Sequence, residues 1–484
     1  MMLTIEYVPS VLAALESAFP TPPNRAKQQL DKYLALLERE MRKSLINRSS
    51  FAHKFNAYDI PLTKLINLSP TINNKRYRVH QWLGANGHAL VQNLNKNANN
   101  ITKEIAVLKP TANLIVKNDN LLKYLQTLSA HELDVYLATL TQERQDFFSE
   151  HVSEYNSLSL KDRKNLYFTS PIDMASLKNY IKDIVQGSVS MSRLIKENSV
   201  NQAERVLRIA QITNGLLHQK IDKKAFGRTY YEGVSVVSVK KALRMAMLGT
   251  SWEYDAKSCS ISWKMSFANQ WHAQKKRRKL DVRHSFPVTT LYLEDKDAFF
   301  NYVIQKVFPA ASTRDYKPII KEAMNAIGFG AKLSMGTWHT DEGWEKRSSL
   351  FDVFDNDIQA LKRFIECDLV LMINKEQQTL NKFIVAKFSG DAVWQAEMTA
   401  EQQRKKVKQF SAAQKIVWLY QHAETIMMDM VRAEVKKSGN TALANVHDAV
   451  VVRNQIPAKL LDKIERKVQK RTGVTYFAMG ETEY

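Results

Sequence analysis

Two aspartates stand out because each interrupts a short apolar run. In the segment VHDAVVV, Asp448 follows His447 and is itself followed by an alanine and three valines. In the segment WEYDAKSCSISW, Asp255 comes directly after an aromatic-rich stretch. Burying a carboxylate between apolar strands without a partner is strongly unfavourable. We therefore expect Asp255 at the end of a strand and Asp448 in a hairpin turn, where each can face a cation.

Two carboxylates that meet across a sheet can hold two Mg²⁺ ions about 4 Å apart. Mg²⁺ keeps several waters and takes further oxygens from substrate phosphates, so two protein carboxylates suffice. The backbone carbonyl of Ala256 is an additional candidate ligand. Two metal ions at this spacing activate an attacking 3′-hydroxyl and neutralise charge on the phosphate that is transferred. Asp255 and Asp448 therefore predict nucleotidyl transfer that depends on Mg²⁺, with Mn²⁺ as a usable substitute.

The segment KPIIKEAMNAIGFG (317–330) predicts a helix, with Pro318 in its first turn and Asp315 or Thr313 as its N-cap. Residues at a spacing of four share one helical face: Lys317, Lys321, Asn325 and Phe329. On this face Lys321 would bind an incoming triphosphate and protonate the pyrophosphate leaving group. Phe329 would stack beside the base.

Composition favours a polyanionic partner. The chain of 484 residues has 70 Lys and Arg against 49 Asp and Glu, which gives a net charge of +21. A surplus of this size is typical of proteins that bind nucleic acids. No apolar run is long enough to predict a membrane span. The two cysteines, Cys259 and Cys367, exclude a disulfide framework and a cysteine-rich zinc site, so we expect a cytoplasmic protein.

A fourth segment completes an ordered set. In GRTYY (227–231), a Gly-Arg turn before a strand would place the Arg228 guanidinium on a phosphate backbone. Together the segments resemble the palm and fingers of single-subunit RNA polymerases of the phage and mitochondrial type, within the family A DNA polymerase superfamily. GRTYY is similar to that family's Gly-Arg segment, DAKSCSISW (255–263) to its motif A, KPIIKEAMNAIGFG to its motif B, and VHDAVVV (446–452) to its motif C. The resemblance covers roughly residues 225–470, about half of the chain.

The resemblance implies roles for individual residues. Asp255 and Asp448 would bind the metal ions and, with Lys321, form the catalytic group. The nucleotide-binding residues would be Lys317, Lys321, Asn325, Phe329, Gly330 and Ser260. Template or primer contacts would come from Arg228, Tyr230 and His447. The implied partners are a nucleic acid template, the nascent strand and nucleoside triphosphates, whereas no partner subunit is indicated.

The order of the segments predicts a helix-rich α+β fold. The first 220 residues carry apolar residues at three- and four-residue spacing, which is typical of helices. The resemblance implies a right hand with a small antiparallel palm sheet and helical fingers. Residues 1–220 would form a helical, thumb-like N-terminal region. Residues 221–300 would form the palm, 301–436 the fingers with a helical insertion, and 437–484 the completion of the palm.

The sugar of the substrate is set by two positions that point in opposite directions. Family A DNA polymerases typically place a glutamate five residues after the motif A aspartate, where it blocks a 2′-hydroxyl. Here that position is Ser260, which leaves room for ribose. Phe329 stands where the RNA polymerases usually have tyrosine, and it lacks the hydroxyl that favours ribose. Lys317 similarly replaces their usual arginine. RNA synthesis is the prediction.

Two other functions stay open. One is a DNA-synthesising relative, including a reverse transcriptase, although the pair of adjacent aspartates expected for the latter is missing. The other is a basic nucleic-acid-binding or replication protein without catalytic activity. Asp255, Asp448 and Lys321 argue against the second alternative, because binding alone does not need acids within apolar strands.

Overall fold

The computed structural model describes residues 3–45, 49, 52, 54–72, 77–94, 105–118, 120–140, 146–222, 228–232, 235–276, 281–309, 315–339, 345–355, 357–404 and 409–484. The chain divides into two compact units. The first comprises Met1–Lys220 and Gly233–Gly249, and the second comprises Ile221–Glu232 and Thr250–Tyr484. No helix among these residues is long and apolar enough to cross a membrane.

The first unit contains helices and short antiparallel strands. Its strands are β1 (Leu3–Tyr7), β2 (Tyr58–Pro61), β3 (Thr71–Ile72), β4 (Tyr77–Arg78), β5 (Val91–Asn93), β6 (Ile105–Pro110), β7 (Leu114–Asn118), β8 (Tyr167–Pro171) and β9, which starts at Leu216 and continues to Asp222 in the second unit. Its helices are α1 (Pro9–Ala18), α2 (Arg25–Ser44), α3 (Leu62–Leu68), α4 (Val79–Ala85), α5 (Leu121–Thr127), α6 (Ala130–Ala138), α7 (Asp146–Ser157), α8 (Leu160–Leu166), α9 (Met174–Gln186), α10 (Arg193–Ile212) and α11 (Lys241–Leu248).

Helix α2 shows why this unit folds. Leu30, Tyr33, Leu37 and Met41 recur at three- and four-residue spacing and are all buried in one core cluster. Strand β1 pairs with β7, and β6 lies between β2 and β5. The sequence predicted helices for this region, and these strands are a difference. Their short lengths leave little room for the two-residue alternation that distinguishes a strand from a helix.

The second unit is rich in helices, and its described residues include a four-stranded sheet and a two-stranded sheet. Its strands are β10 (Tyr230–Tyr231), β11 (Trp252–Ala256), β12 (Trp338–His339), β13 (Glu345–Lys346), β14 (Ala442–Val446), β15 (Ala449–Val452) and β16 (Met479–Glu483). Its helices are α12 (Cys259–Lys276), α13 (Val282–Ser285), α14 (Pro287–Glu294), α15 (Lys296–Val307), α16 (Lys317–Gly328), α17 (Leu350–Val353), α18 (Ile358–Glu366), α19 (Asp368–Ser389), α20 (Ala392–Arg404), α21 (Ala412–Lys437) and α22 (Ala458–Thr472).

The central sheet of the second unit has the strand order β14-β15-β11-β16, and its strand pairs are antiparallel. Tyr254 pairs with Val450, and both side chains lie in the core cluster that also contains Met428 and Val431 of α21 and Ile464 of α22. Each fully buried apolar side chain of this kind contributes roughly 1.5–3 kcal/mol. Successive strand residues point to opposite faces, so Asp255 is directed away from this core. The helix-rich α+β prediction is confirmed.

Candidate active site

The segment VHDAVVV forms the predicted hairpin. Strand β14 ends at Val446, strand β15 begins at Ala449, and these two residues pair across the turn. His447 has a φ of 37°, in the left-handed region that tight hairpin turns require. All residues of β15 are buried. The turn therefore carries Asp448 at the edge of a buried strand, as the apolar pattern indicated.

Asp255 lies next to this turn, because β11 is the neighbour of β15. Asp255 pairs with Ala449, and the backbone N–H of Ala256 donates to the carbonyl of Asp448 at 2.8 Å. Burial raises the pKa of the Asp448 carboxyl, and the negative charges of Glu424 and Asp255 raise it further. The structure therefore places the two predicted acids at one end of the same sheet, where they interact electrostatically.

Gly480 makes room for the Asp255 side chain. Gly480 lies on β16 and pairs with Asp255 from the other side of β11. A Cβ atom at position 480 would lie 2.7 Å from Oδ1 of Asp255 and 3.2 Å from Cε of Lys257. Sequence reasoning missed this residue, although a glycine inside a strand is a sign of close approach by another group.

A third buried acid, Glu424 of α21, was also missed. Its side chain is 0% exposed and forms a two-pronged ion pair with Arg228. Nη2 of Arg228 donates to one carboxylate oxygen at 2.7 Å, and Nε donates to the other. Arg228, the residue predicted to contact the template, therefore donates two of its N–H groups to another side chain of the protein. The sequence did contain a sign that Glu424 is buried, because it lies one helical turn after Tyr420 on the apolar side of α21.

Two groups that interact with Glu424, the Tyr420 hydroxyl and the Cys259 thiol, have raised pKa values. Burial raises the pKa of Tyr420 well above its ordinary value, and the negative charges of Glu424 and Asp448 add to the effect. Burial also raises the pKa of the Cys259 thiol to about 12. Cys259 is also buried in the core cluster of the second unit, and buried thiols with a raised pKa react slowly.

Three lysines, Lys257, Lys296 and Lys321, lie close enough to interact electrostatically in the neighbourhood of Asp255. Lys296 is half-buried at the start of α15, and its ammonium donates to Oγ of Ser258 at 2.8 Å. Burial lowers the pKa of Lys296, repulsion from Lys321 and Lys257 lowers it further, and attraction to Asp255 opposes the shift. These charges are therefore close enough to interact. Sequence reasoning identified Lys321 but missed Lys257 and Lys296.

Helix α16 presents its predicted polar stripe. Three of the four predicted residues are exposed, namely Lys317, Lys321 and Asn325. The opposite side is buried through Ile320, Met324 and Ile327. The N-cap is Tyr316, whereas Asp315 accepts a hydrogen bond from the backbone N–H of Lys317 at 3.0 Å. The prediction of Asp315 as the cap residue was wrong by one position, and Thr313 lies outside the described residues.

Not every lysine of the stripe is available to a ligand. The ammonium of Lys317 forms an ion pair with Asp297 at 3.0 Å, on an exposed part of the surface. Within the described residues, Lys321 forms no ion pair. Lys321 is therefore the better candidate for a phosphate.

Phe329 and Gly330 follow the last residue of α16, Gly328, so the helix ends two residues before the end of the predicted segment 317–330. Phe329 is half-buried, and its ring centroid lies 5.6 Å from that of Tyr420. Gly330 has a φ of 92°, which only glycine adopts readily, so the chain can turn directly after Phe329. Tyr420 also interacts electrostatically with Asp448. The Phe329 ring therefore contacts a residue that interacts with one of the two predicted metal ligands.

The remaining predicted residues are Ser260, Tyr230 and His447, which lie in α12, in β10 and in the turn between β14 and β15. Ser260 is half-buried in the first turn of α12, four residues beyond the end of Asp255's own strand. The rings of Tyr230 and His447 meet edge to face with centroids 5.6 Å apart. Gly227, which precedes Arg228, lies outside the described residues.

The residues present fit Mg²⁺ better than a metal that needs a full set of protein ligands. In the described part of the chain, no group of three or more His, Cys, Asp or Glu side chains is arranged to hold a metal ion. Asp255 and Asp448 nevertheless bring like charges together in a partly buried site. A cation relieves that repulsion, and Mg²⁺ takes its remaining ligands from water and phosphates.

Comparison with known proteins finds similarity among solved structures. No protein-family model matches the sequence, and no curated protein matches it. A solved structure similar to this chain is the POL domain of Pol1 from M. smegmatis, in complex with DNA primer-template and dNTP. The two share 11% sequence identity with a TM-score of 0.33. The match covers 75% of this chain, which spans 65% of the length of that protein.

Proposed function

We propose that this chain is a template-directed nucleotidyltransferase, and specifically a single-subunit RNA polymerase that extends RNA with ribonucleoside triphosphates. One observation carries the proposal: Asp255 and Asp448 meet at the end of a sheet, beside Lys257, Lys296 and Lys321. Nucleotidyl transfer needs carboxylates that bind metal ions and, beside them, positively charged side chains that stabilise the phosphates.

Asp255 and Asp448 would hold two Mg²⁺ ions, with the backbone carbonyl of Ala256 as a further ligand and Mn²⁺ as a substitute. When bound, the ions favour ionisation of the attacking 3′-hydroxyl and neutralise charge on the phosphate. The pairing of β11 with β15 fixes the spacing of the two acids, because the N–H of Ala256 donates to Asp448. This preorganisation supports a catalytic role.

The lysines would receive the triphosphate. Lys321 is exposed and interacts with Lys296, which in turn interacts with Asp255, so a phosphate chain can extend from the acids toward α16. Lys321 would protonate the pyrophosphate leaving group. Lys317 would contribute less, because Asp297 already neutralises it.

The base and sugar would bind near the end of α16. The half-buried ring of Phe329 would stack on the base, next to Gly330 and Asn325. The short side chain of Ser260 leaves space for a 2′-hydroxyl, which favours ribose. The alternative is a DNA-synthesising enzyme, since Phe329 has no hydroxyl with which to select ribose.

The template and nascent strand would lie along Arg228, Tyr230 and His447, helped by the net charge of +21. Arg228 would use only the part of its guanidinium that Glu424 does not engage. Within a right-hand arrangement, 221–300 and 437–484 would be the palm, 301–436 the fingers, and 1–220 a thumb-like region. A cytoplasmic location is part of the proposal.

The test is primer extension by the purified chain. A labelled primer on a DNA or RNA template is incubated with Mg²⁺ and either rNTPs or dNTPs, and products are resolved by length. Extension with rNTPs is the expected result. Extension with dNTPs alone would favour the DNA-synthesising alternative. Template binding without extension on any template would favour the non-catalytic binding protein.

A further inference from the structure

Lys264 is an ammonium group placed in the interior of the second unit. It lies on α12, nine residues beyond Asp255, and is 0% exposed. Lysine is almost never fully buried without a charged partner. Burial alone lowers the pKa of Lys264 to about 7, and no carboxylate contributes to the shift. An apolar residue at this position would avoid the desolvation cost, so the contacts that Lys264 makes have to offset it.

The contacts of Lys264 converge on the end of α16. Its Nζ donates to the carbonyl of Gly328, the last residue of that helix, and to Oε1 of Gln377 at 3.2 Å. Nδ2 of Asn381 donates to the same Gly328 carbonyl at 3.3 Å. Carbonyls at a helix C-terminus lack intrahelical partners, and a cation there is favourable. Lys264 and Asn381 together therefore clasp the end of α16.

Lys264 also contacts the residue that follows. Its Nζ lies 5.4 Å from the centroid of the Phe329 ring, within cation–π range. The Nζ atom of Lys264 thus contacts both the carbonyl before Phe329 and the face of the Phe329 ring. Since Lys264 and Asp255 belong to consecutive elements, this contact ties Phe329 to the segment that carries the catalytic acid.

We infer that Lys264 is a positioning residue, which sets the place of Phe329 relative to Asp255 and thereby the fit of the incoming nucleotide. The inference rests on the proposed function, because it assigns Phe329 to the base. Lys264 itself touches neither nucleotide nor metal. Its loss is therefore expected to act on nucleotide binding and selection more than on the chemical step.

The kinetic test compares Lys264→Met with the wild type. Methionine has a similar length and removes the N–H donors. We expect the KM for the correct nucleotide to rise roughly tenfold, the scale of one lost charged hydrogen bond, while kcat changes about twofold or less. Lys382→Met, an exposed lysine on α19, is the matched control and should behave as wild type. An equal fall of kcat with KM unchanged would overturn the inference.

A second readout does not depend on catalysis. In a Phe329→Cys background, the rate of alkylation by a maleimide reports the accessibility of position 329. The native Cys259 and Cys367 are buried and have raised pKa values, so they react slowly. Adding Lys264→Met should raise the labelling rate severalfold, and an unchanged rate would refute the positioning role.

The two readouts separate the possible failures. If the wild type extends no primer but labelling responds to Lys264→Met, the proposed function fails and the positioning role stands. Should Lys264→Met not fold, Asn381→Leu tests the same clasp. It removes one donor to Gly328 without touching the Phe329 ring, and a smaller rise in KM and labelling is expected. No rise in either quantity would contradict the inference.

Discussion

Replacing Gly480 by alanine should disable the site while leaving the fold in place. The new Cβ would lie 2.7 Å from Oδ1 of Asp255 and 3.2 Å from Cε of Lys257. Ordinary carbon–oxygen contacts are about 0.5–1 Å longer, so a side chain has to move. The backbone of Gly480 is held by the pairing of β16 with β11, and the Asp255 carboxylate is therefore the group that shifts.

The size of the effect follows from this displacement. A misplacement of about 1 Å at a reacting centre costs on the order of 10²-fold in rate. We expect Gly480→Ala to lower the single-turnover rate of nucleotide incorporation by about this factor and to raise the Mg²⁺ concentration required for half-maximal rate. Thermal stability should change little, because alanine is tolerated in a strand better than glycine.

Gly390→Ala provides the matched control for this experiment. Gly390 ends α19, and the nearest heavy atom to an added Cβ there is a backbone oxygen at 3.9 Å. This variant should keep the wild-type rate and Mg²⁺ dependence. A wild-type rate for Gly480→Ala, with the same folded structure, would refute the placement of Asp255 at the reacting centre.

Three further expectations concern charge. Lys321→Ala should lower the incorporation rate about 10²–10³-fold, which is the scale of losing a preorganised charge or a general acid. Lys321→Arg should restore triphosphate binding better than it restores the rate. A wild-type rate for Lys321→Ala would mean that α16 is a solvated surface helix without a catalytic role. Glu424→Gln removes a negative charge that raises the pKa of Asp448, so the acidic limb of the pH–rate profile should move to lower pH, and a shift to higher pH would contradict the assignment. Template affinity should fall roughly a thousandfold between about 50 and 200 mM salt if about six phosphates are contacted, and a flat response in a filter-binding titration would mean that the charge of +21 serves another purpose.

The sequence predicted the parts of the site that depend on local pattern. An acid flanked by apolar residues indicated the β14–β15 hairpin and the strand before Ala256, and both are present. The exposed stripe of α16 followed from helical periodicity, because four-residue spacing alone determines which side chains share a face.

The missing parts depend on pairing between distant segments. Glu424 became a neighbour of Arg228 only through tertiary packing, since nothing in the sequence of α21 names its partner. Gly480 is important because β16 pairs with β11. The register between two strands so far apart in the chain cannot be predicted from the sequence of either strand. Nothing in the sequence indicates that Lys264 is buried, because the polar and apolar residues of α12 do not separate onto two faces.

The most direct test of the central claim is nucleotide incorporation by Asp255→Ala and Asp448→Ala, measured together with template binding. Both variants should lose incorporation while they keep template affinity and a wild-type melting temperature, because the two acids would hold the metal ions and not the fold. Asp429→Ala, an exposed acid on α21, is the control and should extend primers normally. Normal incorporation by either Asp255→Ala or Asp448→Ala would contradict the account.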